Sequence, residues 1–300
     1  FMLLMSVVYS SLFANTHFLT ISDMHYGRHS VSTQGENSGE QLWSTSLKKF
    51  KQLALTSDFI ILLGDIPEHA VLTVNQKNAY EAKVFHDLLE ANESKKPLFY
   101  VTGNNDSLLG NYLAFSSKAL SPLNNAPEWE GGACAHCQGL MIDDSMMREK
   151  GYYSSFVMQD NKDVVLIALN ANQFAKLPWW VKHYKNQDSD AMQQLDWLEK
   201  QLQQIQTKQL LIAMHEEPGL DYKNKSVWHA KYLSRFIQLL NKAQQSNQEV
   251  SLIAAHSHYD EIRKITLANG LPLFSYSVPS ISRKHYNNSA MKVFSLTNDY

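Results

Sequence analysis

The feature that most constrains this chain is an alternation of short apolar runs with longer segments of helical periodicity. The runs are HFLTISD from His17, DFIILLGD from Asp58, PLFYVTG from Pro97, DVVLIALN from Asp163, QLLIAMH from Gln209 and EVSLIAAH from Glu249. Their length and β-branched content make them buried strands. Between them, residues 40 to 57, 77 to 95, 190 to 208 and 226 to 246 read as helices. The third carries Met192, Leu195, Leu198, Leu202 and Ile205 on one stripe. Strands alternating with helices imply an α/β fold. Residues 107 to 152 and 175 to 189 read as irregular segments, and loops of that length tend to lie beside sites.

With 300 residues, 44% of them apolar and 19% charged, the chain can bury a sizeable core. It shows no repeat, low-complexity tract or linker, so residues 15 to 300 are expected to form one domain. The 27 basic and 29 acidic residues are interspersed, which argues against a general electrostatic nucleic-acid binder. Met2 to Ala14 form an apolar run too short to span a bilayer, which needs about 20 residues. It reads as a signal peptide over residues 1 to 14, making the protein exported, periplasmic or secreted; the alternative is a buried strand. Cys134 and Cys137, in the order C-A-H-C, read as a small disulfide in an exported protein, and as thiols or metal ligands in a cytosolic one.

Five polar clusters sit at the C-terminal ends of the apolar runs. They are Asp23-Met24-His25, Gly64-Asp65, Gly103-Asn104-Asn105-Asp106, His215 and His256-Ser257-His258. In open α/β sheets that edge is where ligands bind. The side chains are carboxylates, an amide oxygen and imidazoles, the donors that hold divalent metals. A D-x-H or H-x-H leaving a strand points two side chains the same way. A carboxylate such as Asp65 can bridge two ions, whose shared water loses a proton near neutral pH and attacks phosphorus.

The ordered set DxH, GD, GNND, H and HxH resembles the calcineurin-like metallophosphoesterase superfamily. GDIPEH from Gly64, LNAN from Leu169, MHEEPG from Met214, AHSHYDEI from Ala255 and VPSIS near the C-terminus are similar to its acid sphingomyelinase-like phosphodiesterase branch. The likeness covers roughly residues 17 to 297. It implies a four-layer α/β/β/α sandwich of two mixed sheets flanked by helices, with two divalent metal ions at the sheets' edge. Zinc is usual in the branch, and iron or manganese occur in relatives. By resemblance, Asp23, His25 and His258 hold one ion, Asn104, His215 and His256 the other, and Asp65 bridges them.

The superfamily usually places a proton-donating histidine after the metal-binding Asn, whereas this chain has Asn105, which cannot act as a general acid. The resemblance offers His69, in the GDIPEH motif, for that role; the bland reading is a loop histidine satisfied by Glu68 or the backbone. Asn105 is then a hydrogen-bond donor to phosphate. A catalytically weakened, ligand-binding relative is the alternative to an enzyme. The expected partner is a small soluble phosphoester, such as a phosphodiester, nucleotide or polyphosphate, with no stable membrane insertion. Trp179, Trp180, His183 and Tyr184 are placed to stack a base or cage an ammonium group, or else simply pack their loop. Arg28 and His29 are either phosphate contacts or solvated loop.

Overall fold

All six apolar runs are strands in a computed structural model of the chain, which describes residues 15–117, 119–177, 181, 184–221, 223–245 and 248–296. In chain order the elements are β1 (Thr16–Ile21), α1 (Glu40–Ala54), β2 (Phe59–Leu62), α2 (Val74–Ala91), β3 (Leu98–Tyr100), β4 (Cys134–Ala135), β5 (Met141–Asp143), α3 (Met147–Lys150) and β6 (Tyr153–Phe156). There follow β7 (Val164–Ala168), α4 (Gln187–Gln204), β8 (Gln209–Ala213), α5 (Ala230–Gln245), β9 (Glu249–Ala254), β10 (Glu261–Thr266), β11 (Pro272–Ser277) and β12 (Lys292–Leu296). Residues 1 to 14, the expected signal peptide, lie outside the described residues.

The strands form two mixed sheets, ordered β12-β1-β2-β3-β4 and β10-β11-β9-β8-β7-β6-β5. In the first, β1, β2 and β3 run parallel; in the second, β7, β8, β9 and β11 do. Antiparallel strands close the edges. Period-two alternation explains the layering. On β7, Val164, Leu166 and Ala168 join the core shared with the first sheet, while Val165 and Ile167 face outward onto α4 and α5. Trp43 and Phe50 of α1 and Val84, Phe85 and Leu88 of α2 cover the first sheet's other face. The result is the expected helix–sheet–sheet–helix sandwich.

Helix boundaries differ from the sequence reading for local reasons. α2 begins at Val74 rather than residue 77, because Thr73 and Gln76 form a capping box. α5 begins at Ala230 because Ser226 and Trp228 are held in bridges to Leu220 and Ala175. Met192 is exposed; Ala191, Leu195 and Leu198 make the buried stripe of α4 instead. The region read as irregular, 107 to 152, contains two short strands, and Cys134 and Cys137 are joined by a disulfide.

β1, β2 and β3 end side by side, and so do β8 and β9, so all five polar clusters emerge at one edge. Gly64 is where the chain can turn there. Its φ is +77°, and a Cβ would lie 2.2 Å from the backbone nitrogen of Gly103. Both effects exclude a side chain. The Gly64→Ala variant is expected to lose about 3 kcal/mol of stability, read as a lowered urea midpoint at unchanged slope.

Candidate metal centre

The loop after β1 runs alongside the loop after β2, with the amides of Asp23, His25 and Tyr26 donating to the carbonyls of Gly64, Asp65 and Ile66. The second sheet's loops join this edge, where the amides of Ile281 and Ser282 donate to the carbonyls of Ser22 and Asp23. Five of the seven expected ligands adopt positive φ: Asp23, His25, Asp65, His256 and His258, between 42° and 67°. Such backbone costs about 1–3 kcal/mol per residue and is concentrated at functional sites.

Asp106 fixes the two central loops. Its buried carboxylate accepts from the amides of Asp65 (3.1 Å), Ile66 (2.7 Å) and Gly103 (2.7 Å) and from the Tyr100 hydroxyl (2.8 Å). Burial, and then the neighbouring Asp65, push its carboxyl upward. Asp65 in turn accepts from the backbone and side-chain nitrogens of Asn105, both at 2.8 Å. The amide of Asn105 is therefore directed, through one of its N–H groups, at Asp65.

Around Asp65 the donor atoms crowd together. The ligating atoms of Asp23, His25 and Asp65 lie within 4.8 Å of one another, and those of Asp65, His215 and His256 do likewise. His215 Nε2 is 3.4 Å from Asp65 Oδ2 and 3.7 Å from Asp23 Oδ1. His258 Nε2 is 3.3 Å from Asp23 Oδ1, and His25 Nε2 is 3.2 Å from His258 Nε2. The imidazoles of His25 and His215 donate from Nδ1 to the carbonyls of Pro67 (3.2 Å) and Leu63 (2.6 Å). A carbonyl can only accept, so in the neutral rings the Nε2 lone pairs point into the cluster. Asn104 donates Nδ2 to Asn111 Oδ1 at 2.8 Å, which turns its Oδ1 inward.

Buried Asp23 Oδ1, Asn104 Oδ1 and His215 Nε2 have no hydrogen-bond partner. Burial would raise Asp23 and Asp65, but nearby histidines outweigh it and hold both carboxyls low. His215 is raised by Asp65 and Asp23 against its burial, whereas burial and His215 push His256 down to about 4. Lone pairs and two ionised carboxylates converging on one buried point fit divalent cations, which satisfy such donors.

The cluster opens on a cavity of about 720 Å³. His69 and His285, Tyr112 and Glu217 help to line it. His69 stacks on His25, ring centres 3.7 Å apart, and its Nδ1 is 3.3 Å from Asn37 Oδ1, a partner that neither sequence reading named. His69 is exposed where it lines the cavity, yet desolvation by the groups packed around it, and then His25, push it down to about 3. Tyr112 reaches His256 Nε2 at 3.4 Å, and His285 packs edge-on against His258. Tyr112, His285 and Glu217 were not singled out in sequence. One sequence expectation is corrected: Tyr184 sits against Asp190 instead of in the cavity. Arg28 and His29, read as either phosphate contacts or solvated loop, are exposed and line a separate depression with Tyr80 and Lys83. Trp179, Trp180 and His183 lie outside the described residues.

The model of the calcineurin-like phosphoesterase family matches residues 16–260, which include all seven expected ligands. The chain belongs to this family. Among solved structures it is similar to "Structure of PhoD", with a TM-score of 0.54 and 11% identity, over 89% of this chain and 57% of that one. It thus spans little more than half of that protein's length. The phosphopantetheinyl hydrolase PptH from Mycobacterium tuberculosis gives a TM-score of 0.49 at 12% identity, covering 95% of this chain and 97% of that chain. The 5'-nucleotidase from Candida albicans SC5314 gives 0.47 at 11% identity, over 89% and 46%. No curated protein sequence matches the chain. At these identities the PhoD likeness speaks to the fold alone.

Two outcomes follow. Adding zinc or manganese to chelator-treated protein at about a thousand times Kd should raise Tm by roughly 10 °C, and by much less in Asp65→Ala. Asp106→Ala, which strands three amides and a hydroxyl, should cost about 4 kcal/mol in urea unfolding.

Proposed function

We propose that the protein is an exported, dinuclear-metal phosphodiesterase of the acid sphingomyelinase-like branch, acting on small soluble phosphoesters. The observation that carries the reading is that Asp65 belongs to both donor groups, Asp23–His25–Asp65 and Asp65–His215–His256. Asp23, His25 and His258 would hold one divalent cation and Asn104, His215 and His256 the other, with Asp65 between them. When bound, the ions supply an activated water and neutralise charge developing on phosphoryl oxygens.

The chain's own residues do the rest. The carbonyls of Pro67 and Leu63 keep His25 and His215 in the ligating tautomer, and Asn111 keeps the Asn104 oxygen inward. Asn105 braces Asp65 and leaves leaving-group protonation to another group. His69 is that group in this reading: it lines the cavity beside His25, and Asn37 faces its Nδ1. A phosphate anion in the cavity would favour the protonated ring. Export is supported by the apolar run ending at Ala14 and by the Cys134–Cys137 disulfide. No described helix is long and apolar enough to cross a membrane.

Chelator-sensitive hydrolysis of bis(p-nitrophenyl) phosphate tests the activity. The His69→Ala variant should lose about 10²- to 10⁴-fold on an alkyl diester with a poor leaving group and far less on the nitrophenyl ester. Equal losses on both would remove His69 from proton transfer.

A further inference from the structure

The cavity has a second polar feature away from the cluster of donors. Glu217, in the loop after β8, is only 1% exposed and lines the cavity wall. Its Oε1 pairs with Arg263 Nη2 at 2.5 Å, but its Oε2 is buried with no hydrogen-bond partner. Arg263, on β10, is already committed: Nε and Nη2 also reach Glu261 Oε2, at 3.2 and 2.7 Å, and Nη1 donates to the Leu220 carbonyl. One guanidinium therefore serves two carboxylates. Asp221 adds a further carboxylate to the wall, and its Oδ1 accepts from the amides of Lys223 and Lys225. Among the described residues, the lysines that line the cavity, Lys176 and Lys225, are exposed.

A buried, unsatisfied carboxylate oxygen is costly, and a charge-assisted hydrogen bond from a ligand relieves it. We propose that Glu217 Oε2 receives an N–H donor carried by the substrate's alcohol portion, so that the preferred phosphoester bears a primary ammonium group. A hydroxyl would satisfy the oxygen but not the excess negative charge of Glu217 and Glu261 over Arg263. A quaternary ammonium would balance the charge but offers no N–H. This inference rests on the reading that the phosphate group is held at the metal centre.

The test is calorimetric binding of three phosphate monoesters to the metal-loaded protein. O-phosphoethanolamine, phosphocholine and ethyl phosphate share the phosphate and differ only in the second group. O-phosphoethanolamine is expected to bind at least about tenfold more tightly than either of the others. The margin should shrink towards onefold in Glu217→Gln. The wild-type ratios decide the matter even if that variant folds poorly. Equal binding of O-phosphoethanolamine and ethyl phosphate would overturn the subsite. Equal binding of O-phosphoethanolamine and phosphocholine would overturn the N–H requirement. Turnover of bis(p-nitrophenyl) phosphate by the same preparation separates the two failures: with turnover but no ammonium preference, the subsite alone falls. Without turnover and without binding of any ester, the phosphoesterase reading falls and takes the subsite with it.

Discussion

The carboxylate of Asp106 is the interaction on which the metal centre depends. It gathers the amides of Asp65, Ile66 and Gly103 and the hydroxyl of Tyr100, tying the loop after β2 to the loop after β3. Without that tie, Asp65 and Asn104 would belong to two independent loops. With it, the Asn105 nitrogens reach Asp65 and the whole GNND segment becomes a scaffold for the Asp65 carboxylate. Close backbone approach is part of the same device. A Cβ on Gly103 would lie 2.2 Å from Asp65 Oδ1, so only glycine allows the two loops to meet.

The centre is assembled against local cost. Left-handed backbone at Asp23, His25, Asp65, His256 and His258, and buried donors without partners, each oppose folding. The offset lies in the surroundings: β-strands buried on both faces, a core shared by the two sheets, and loops hydrogen-bonded across the sheet edge. This arrangement fits a site whose donors are positioned before any ion arrives, since rigid elements hold both loops of the centre. Cation binding then recovers part of the cost, which couples metal affinity to stability.

Much of this was legible in the sequence because the chemistry sits at the ends of continuous apolar runs. Each of the seven expected ligands follows such a run, and the runs proved to be parallel strands ending at one edge. What escaped was carried by strands of a different pattern. β10 and β11 lie at the end of the second sheet; β10 alternates half-buried with exposed residues and β11 alternates buried with more exposed ones, so EIRKIT and PLFSYS show no apolar run. Their loss hid Arg263 on β10 and His285 beyond β11. Tyr112 reaches His256 from a loop, which no periodicity marks. Glu217 sits in the segment MHEEPG, but its ion-pair partner Arg263 arrives from a strand that is distant in sequence. Asn105 is legible as a departure from the family pattern, but its role as a brace for Asp65 depends on two loops meeting across the sheet edge.

The central claim is that two divalent ions share Asp65. Anomalous diffraction from crystals grown with zinc or manganese tests it most directly. The expected result is two peaks roughly 3.5 to 4 Å apart with Asp65 between them, His25 on one and His215 on the other. A single peak at saturating metal, or peaks remote from Asp65, would contradict it.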